Sequence, residues 1–136
     1  LPDRALYVDI RIGSRLDAFC TAHGKLWLAF MTAADQDYYF ANADLTGMTD
    51  RTITDLAMLK DELATIRQQG FSTNNGERES EIFALAVPVL TQHGNMISAL
   101  SVFGAAPGLI TEKRDAVLTA LRHAADAGQR ALYGKA

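Results

Sequence analysis

At 136 residues, 49% of them hydrophobic and 21% charged, the chain is long enough for one domain with a real core and too short for two. Its net charge is −3, and Lys and Arg are scattered singly, so no basic stripe tracks a nucleic-acid backbone. No apolar run approaches the ~20 residues that span a bilayer, and with Asp3, Arg4, Asp9 and Arg11 in the first stretch no signal peptide is expected there. The single cysteine, Cys20, excludes an internal disulfide and points to a reducing, cytoplasmic setting.

Residues 5–12 alternate, with Leu6, Val8, Ile10 and Ile12 opposite Asp9 and Arg11, the period of a half-buried strand. The strand stops at Gly13-Ser14. Thr21 then caps a helix from Ala22 to about Met31, whose Leu26, Trp27 and Phe30 share an apolar face. Its first turn, Ala22-His23-Gly24, is small apart from the imidazole. Exposed N–H groups and the helix dipole there suit an anion; tight packing is the plainer reason for the glycine. Thr32 caps a second helix over 33–40, and 42–50 reads as a loop. Thr54 caps the clearest helix, 55–69, in which Leu56, Leu59, Leu63 and Ile66 form one stripe. Gly70 ends it.

Residues 71–73 enter a short strand, and the polar stretch 72–79 is a loop within the domain. Residues 81–90 are almost wholly apolar, as a strand buried on both faces requires. Gln92-His93-Gly94-Asn95 turns the chain, and 96–103 returns as the second arm of a hairpin. By the period of two, Ile82 and Ala84 share a face, and so do Ser101 and Phe103; Ser101, polar in an apolar strand, calls for a hydrogen-bond partner. Thr111 caps a last helix over 112–133 with Val117, Leu118, Leu121, Ala125 and Leu132 as its stripe, and Gly128 would admit a close neighbour. The order predicts an α+β fold, an antiparallel sheet flanked by helices.

Motifs for chemistry are missing. Gly24-Lys25 fails as a phosphate loop, because Phe19 and Leu26 stand where Walker A needs Gly and Ser or Thr. His23, His93 and His123 lie on different elements without metal-ligand spacing, so no metal and no cofactor is expected. His93 in a turn and His123 on a polar face read as solvated. No acid, base and nucleophile converge, so no catalytic residue is assigned.

Several short pieces occur in a telling order. Arg11-Ile-Gly-Ser-Arg-Leu16 leads to Cys20-Thr-Ala-His-Gly-Lys25 and Leu28-Ala29. Thr52-Ile-Thr-Asp55 precedes Leu59, Glu62-Leu63, Ile66-Arg67 and Gly70-Phe71. Ala86-Val-Pro-Val89, Gly94, Ala99-Leu-Ser-Val102 and Gly104 follow. Over about Val8 to Leu132 this set resembles the C-terminal effector-binding domain of the IclR family of bacterial transcriptional regulators. The resemblance implies a GAF-like (profilin-like) domain that senses a small organic acid and assembles into a homodimer or tetramer. It also implies that the whole of 1–136 is this one domain, shortened at its N-terminal side. Operator DNA would be reached only through a winged helix-turn-helix outside the chain.

The family's pocket positions fall on Ala22, His23 and Gly24 at the helix start and on Asn74 in the loop, with Glu77 as the following acid. On the strands they fall on Ile82, Ala84, Ser101 and Phe103. Three depart from the commoner pattern. His23 replaces a small or apolar residue, Asn74 replaces an Asp, and Phe103 stands where a small polar residue is frequent. The first two suit an anionic ligand; Phe103 favours a larger or aromatic carboxylate as effector, or simply fills the core. Two other functions remain open: an oligomerisation module with a filled pocket, and a small thiol enzyme using Cys20.

Overall fold

The structure, a computed structural model, describes residues 15–133. The strand expected over 5–12 lies outside them. A 3-10 helix, Arg15–Cys20, leads into α1 (Ala22–Phe30), α2 (Ala33–Asn42) and α3 (Leu56–Gln69). Strands β1 (Ser72–Asn75), β2 (Phe83–Leu90) and β3 (Met96–Gly104) follow. A 3-10 turn, Pro107–Ile110, then precedes α4 (Arg114–Tyr133). The strands form one antiparallel sheet in the order β1-β2-β3.

Helix starts follow the capping chemistry in the sequence. The Thr21 hydroxyl accepts the Gly24 N–H at 3.0 Å, and the Thr32 hydroxyl accepts the Asp35 N–H at 3.1 Å. At α3 the cap is Asp55, one residue later than expected: its carboxylate accepts from Ala57 N and Met58 N. Leu56, the first helical residue, is 40% exposed, so the buried stripe of α3 is Leu59, Leu63 and Ile66. Gly70 closes the helix in the left-handed region at φ 80°, with its N–H on Ile66 O.

The polar stretch after Gly70 is only partly loop. Its first four residues pair with β2 through Ser72↔Ala86, Thr73↔Leu85, Asn74↔Ala84 and Asn75↔Phe83. Strand β2 is buried along most of its length, as its run of apolar residues requires. At the other end, α4 begins at Arg114. The Thr111 hydroxyl bonds back to Pro107 O at 3.1 Å, so it closes the 3-10 turn and does not cap the helix.

The sheet separates two cores. On one face Ala84 and Ala86 pack with Phe19, Cys20, Leu26, Leu59, Leu63 and Ile66, and Phe103 and Ala99 border this cluster. On the other, Leu85, Val87 and Val89 meet Leu118, Leu121 and Ala125 of α4. The alternation along β2 is thus small residues toward α1 and branched residues toward α4. The stripe of α4 ends at Ala125: Leu132 is 63% exposed, and a Cβ on Gly128 would meet no atom within 4 Å. The close neighbour expected at Gly128 is not there among the described residues. Small residues do matter at Gly24, where a Cβ would come within 2.4 Å of the Ala18 backbone.

The capping assignment makes a direct prediction. Asp55→Ala should lower stability by about 1 kcal/mol, and Thr54→Ala by less than about 0.5 kcal/mol, in urea unfolding.

Candidate functional site

The strand register gathers residues that are far apart in the chain. Asn74 pairs with Ala84, and Ala84 pairs with Phe103, so the three form one row across the sheet. Opposed residues of antiparallel strands project to the same face, here the face toward α1. The next row is Ser72, Ala86 and Ser101. Small side chains on β2 let α1 lie close over the rows. Ser72 fixes it there: buried completely, its hydroxyl donates to Ala22 O at 2.8 Å. Ser72 escaped sequence reading because it stands in a stretch with loop composition.

The other predicted positions are placed as follows. Ala22 is 3% exposed, under the sheet-facing side of the first turn of α1. His23 is exposed, yet surrounding protein removes enough water to lower its imidazole below the ordinary 6.5. It is therefore neutral at pH 7, a donor or acceptor and not a cation. The Gly24 N–H is taken by the Thr21 hydroxyl, which leaves the amides of Ala22 and His23 as the candidate anion donors. The plainer reason for Gly24, tight packing, is met by its approach to Ala18. Ile82 is half-buried just before β2, and it closes the preceding turn by accepting the Gly76 N–H at 3.1 Å. Ser101 shares the Ala86 row but is exposed, so the burial that called for a hydrogen-bond partner is absent and its hydroxyl is open to solvent. Cys20 is fully buried in the core beside Phe19 and Ala22, inaccessible to a substrate.

Beneath these positions lies an ion cluster that motif reading missed. Lys25 is 0% exposed. Its Nζ lies 2.9 Å from both carboxylate oxygens of Glu77, with Oε2 in hydrogen-bond geometry and Oε1 in ion-pair contact only. Glu62 of α3 adds a third contact at 3.0 Å. A lysine is buried this deeply only when paired. The signal was present in the sequence: Ala22, Lys25, Leu26 and Ala29 follow helical spacing, so Lys25 stands on the buried face of α1.

The turn that carries Glu77 is held on every side. Asn74 Oδ1 accepts the Glu77 N–H at 2.8 Å, and Glu77 Oε2 accepts the Asn75 N–H at 3.2 Å. From the α2–α3 loop, the Thr49 hydroxyl donates to Gly76 O at 2.6 Å and the Thr52 hydroxyl donates to Glu77 O. Gly76 has φ 65°, and a Cβ there would lie 2.8 Å from Ser80 O. A different hollow, lined by Val102, Val117, Ala120 and Leu121, lies between β3 and α4 on the opposite face of the sheet. It gathers no polar group apart from Lys113. Among the described residues no group of three or more His, Cys, Asp or Glu is placed to hold a metal, and no helix is long and apolar enough to cross a membrane.

The described residues define an α+β domain built on a three-stranded antiparallel sheet, and comparison with known proteins gives its family. Residues 2–130 match the family described as "Bacterial transcriptional regulator IclR C-terminal", and the chain belongs to that family. It is 34% identical over 100 residues to the Pca regulon regulatory protein of Pseudomonas putida, covering 74% of this chain and 34% of that protein. It is 36% identical over 97 residues to the probable transcriptional regulator SauR of Cupriavidus necator, covering 71% and 38%. The chain thus spans little more than a third of these curated relatives.

Among solved structures, the Thermotoga maritima IclR superposes with a TM-score of 0.81 at 30% identity, covering 96% of this chain and 53% of that one. The inducer-binding domain of the PobR transcription factor from Acinetobacter, a double mutant in complex with 3-hydroxybenzoic acid, gives 0.77 at 29% identity, covering 93% and 82%. The family and these relatives are transcriptional regulators, not enzymes, and the thiol-enzyme reading of Cys20 is withdrawn.

Two outcomes follow from the site. Lys25→Met leaves the Glu77 carboxylate buried and unpaired, and should lower stability by about 3–5 kcal/mol in urea unfolding, whereas Glu62→Gln, at a half-open position, should cost less than about 1 kcal/mol. In a proton NMR titration the His23 ring should have its midpoint below 6.5. Because folding disfavours the protonated ring, this residue's contribution to stability is intact above pH 6.5 and declines as pH falls through it.

Proposed function

We infer that this chain is the effector-sensing domain of a cytoplasmic, IclR-type transcriptional regulator, and that its effector is a small carboxylate. The observation that carries the reading is the row Asn74–Ala84–Phe103 facing the first turn of α1. It puts a polar amide, a small residue and an aromatic wall beside helix-start N–H groups, the elements that bind and orient an organic anion. The carboxylate sits on the Ala22 and His23 amides. Asn74 and Ser101 serve as further polar contacts, and Ile82, Ala84 and Phe103 meet the body of the molecule. The aromatic ring of Phe103 favours an aromatic acid over a two- or three-carbon one. The complex of the related PobR domain with 3-hydroxybenzoic acid supports this choice of class.

Binding would act through the assembly of the regulator. A ligand shifts an equilibrium only by its differential affinity for the two states. An acid that bridges α1 and the sheet favours the arrangement in which they are held together, and so changes the geometry of a dimer or tetramer. Operator DNA would respond through a part of the regulator outside this chain. A second reading rests on Phe103, which borders the α1-side core: the ring fills the site and the domain only assembles.

Thermal unfolding against a panel of aliphatic and aromatic carboxylates separates the two. A ligand at one hundred times its Kd stabilises by about 2.7 kcal/mol, a rise of several degrees for a domain of this size. The sensing reading predicts such a rise for a restricted group of acids, with aromatic ones foremost. A flat response across the panel favours the filled site.

A further inference from the structure

Phe71 and Ser72, neighbours at the start of β1, serve opposite faces of the sheet. Adjacent residues of an extended chain project to opposite sides. The Ser72 hydroxyl, closed off from solvent, donates to Ala22 O at 2.8 Å and so reaches the first turn of α1. The Phe71 side chain lies on the other side, half-buried against the core that includes Leu85, Val87, Leu118 and Leu121. A single step of backbone therefore joins the first turn of α1 to the layer of α4.

Two cations hold the α4 end of this connection. The guanidinium carbon of Arg122 is 5.6 Å from the centre of the Phe71 ring, and that of Arg114, about two turns earlier on the same helix, is 6.0 Å away. Both are within reach of a cation–π attraction. Arg122 also donates from Nη2 to Gln69 O at 3.1 Å, and the Gln69 side-chain amide donates to Phe71 O at 2.9 Å. Ring and backbone of Phe71 are thus both tied to Arg122, the one directly and the other through Gln69. Apolar packing alone would let the ring slide along the helix; these contacts fix where it lies.

We propose that Ser72 and Phe71 form the route by which occupancy of the α1 side of the sheet reaches α4. The proposal rests on the sensing function above and gives the regulation of that same site. An acid that bridges the start of α1 and the sheet draws Ala22 and Ser72 together. The backbone passes the movement of Ser72 to the Phe71 ring, and the ring carries Arg114 and Arg122 with it. The bound and empty states then differ at α4, on the face of the sheet that the acid does not touch. Coupling of this kind is reciprocal, so a change at Arg122 is felt at Ser72 as well.

Two measurements test this. The first needs no ligand. A double-mutant cycle combines Ser72→Ala on one face with Arg122→Ala on the other, read from urea unfolding. Independent sites multiply their effects on the unfolding constant to within about twofold, whereas here the double variant should depart from the product of the single variants by about threefold or more. Ser101→Ala, an exposed position in the same cross-strand row, should show no such departure when combined with Arg122→Ala. A multiplicative result at Ser72, or an equal departure at Ser101, overturns the route. The second measurement follows the Arg114 and Arg122 Nε–H signals in 1H–15N spectra as benzoate is added. In the wild type they should move on the same isotherm as the Ala22 amide. Phe71→Leu keeps an apolar side chain in the core and removes the ring; it should bind benzoate within twofold of the wild-type affinity while both arginine signals stay in place. Arginine signals that stay still in the wild type while Ala22 moves, or that move as far in Phe71→Leu, overturn the route. Should benzoate leave the wild-type Ala22 amide unmoved, sensing of an aromatic acid fails, and the cycle alone decides whether the two faces are coupled.

Discussion

The pairing of one buried ammonium determines how the parts of this domain meet. Lys25 lies on the buried face of α1, Glu62 comes from α3, and Glu77 comes from the turn between β1 and β2. A charge with no access to water tolerates only a narrow range of partner positions, because a small displacement leaves it desolvated and unpaired. Apolar packing between α1, α3 and the sheet supplies the greater part of cohesion, but it permits sliding. The ion cluster does not. It sets the depth and rotation of α1 against the turn, and with them the distance between the helix start and Asn74.

Around that constraint the two faces of the sheet divide their work through residue size. Ala84 and Ala86 on β2 keep the face under α1 low, where Phe103 and the polar Asn74 border it. Leu85, Val87 and Val89 point the other way and pack against α4, an ordinary branched core. The same strand thus gives a floor to the candidate site and an anchor to the last helix.

Much of this was legible from residue order. Caps at Thr21 and Thr32, the stop at Gly70 and the apolar run of β2 each follow from local chemistry, and the structure has them where the sequence put them. The face shared by Ser101 and Phe103 follows from the period of two, and the register sets them opposite Ala86 and Ala84, whereas Ile82, expected on the face of Ala84, stands just before β2. Errors arose where local preference met a competitor. Asp55 displaced Thr54 as a cap because a carboxylate accepts from two amides at once. Thr111 bonded back into a 3-10 turn set by Pro107. Asn74 read as loop, and the anchoring role of Ser72 went unseen, because polar residues in a strand are explained only by their partners, here the Glu77 N–H and Ala22 O. Lys25 was passed over for the same reason: its meaning depends on acids 37 and 52 residues away.

The proposed sensing role requires a ligand on the α1 side of the sheet. Chemical-shift mapping of the 15N-labelled chain with a carboxylate that raises its thermal midpoint tests this most directly. Perturbations should concentrate at Ala22, His23, Asn74, Ala84 and Phe103. Shifts concentrated instead at Val102, Val117 and Ala120, in the hollow between β3 and α4, would put the ligand on the wrong face of the sheet and contradict the assignment.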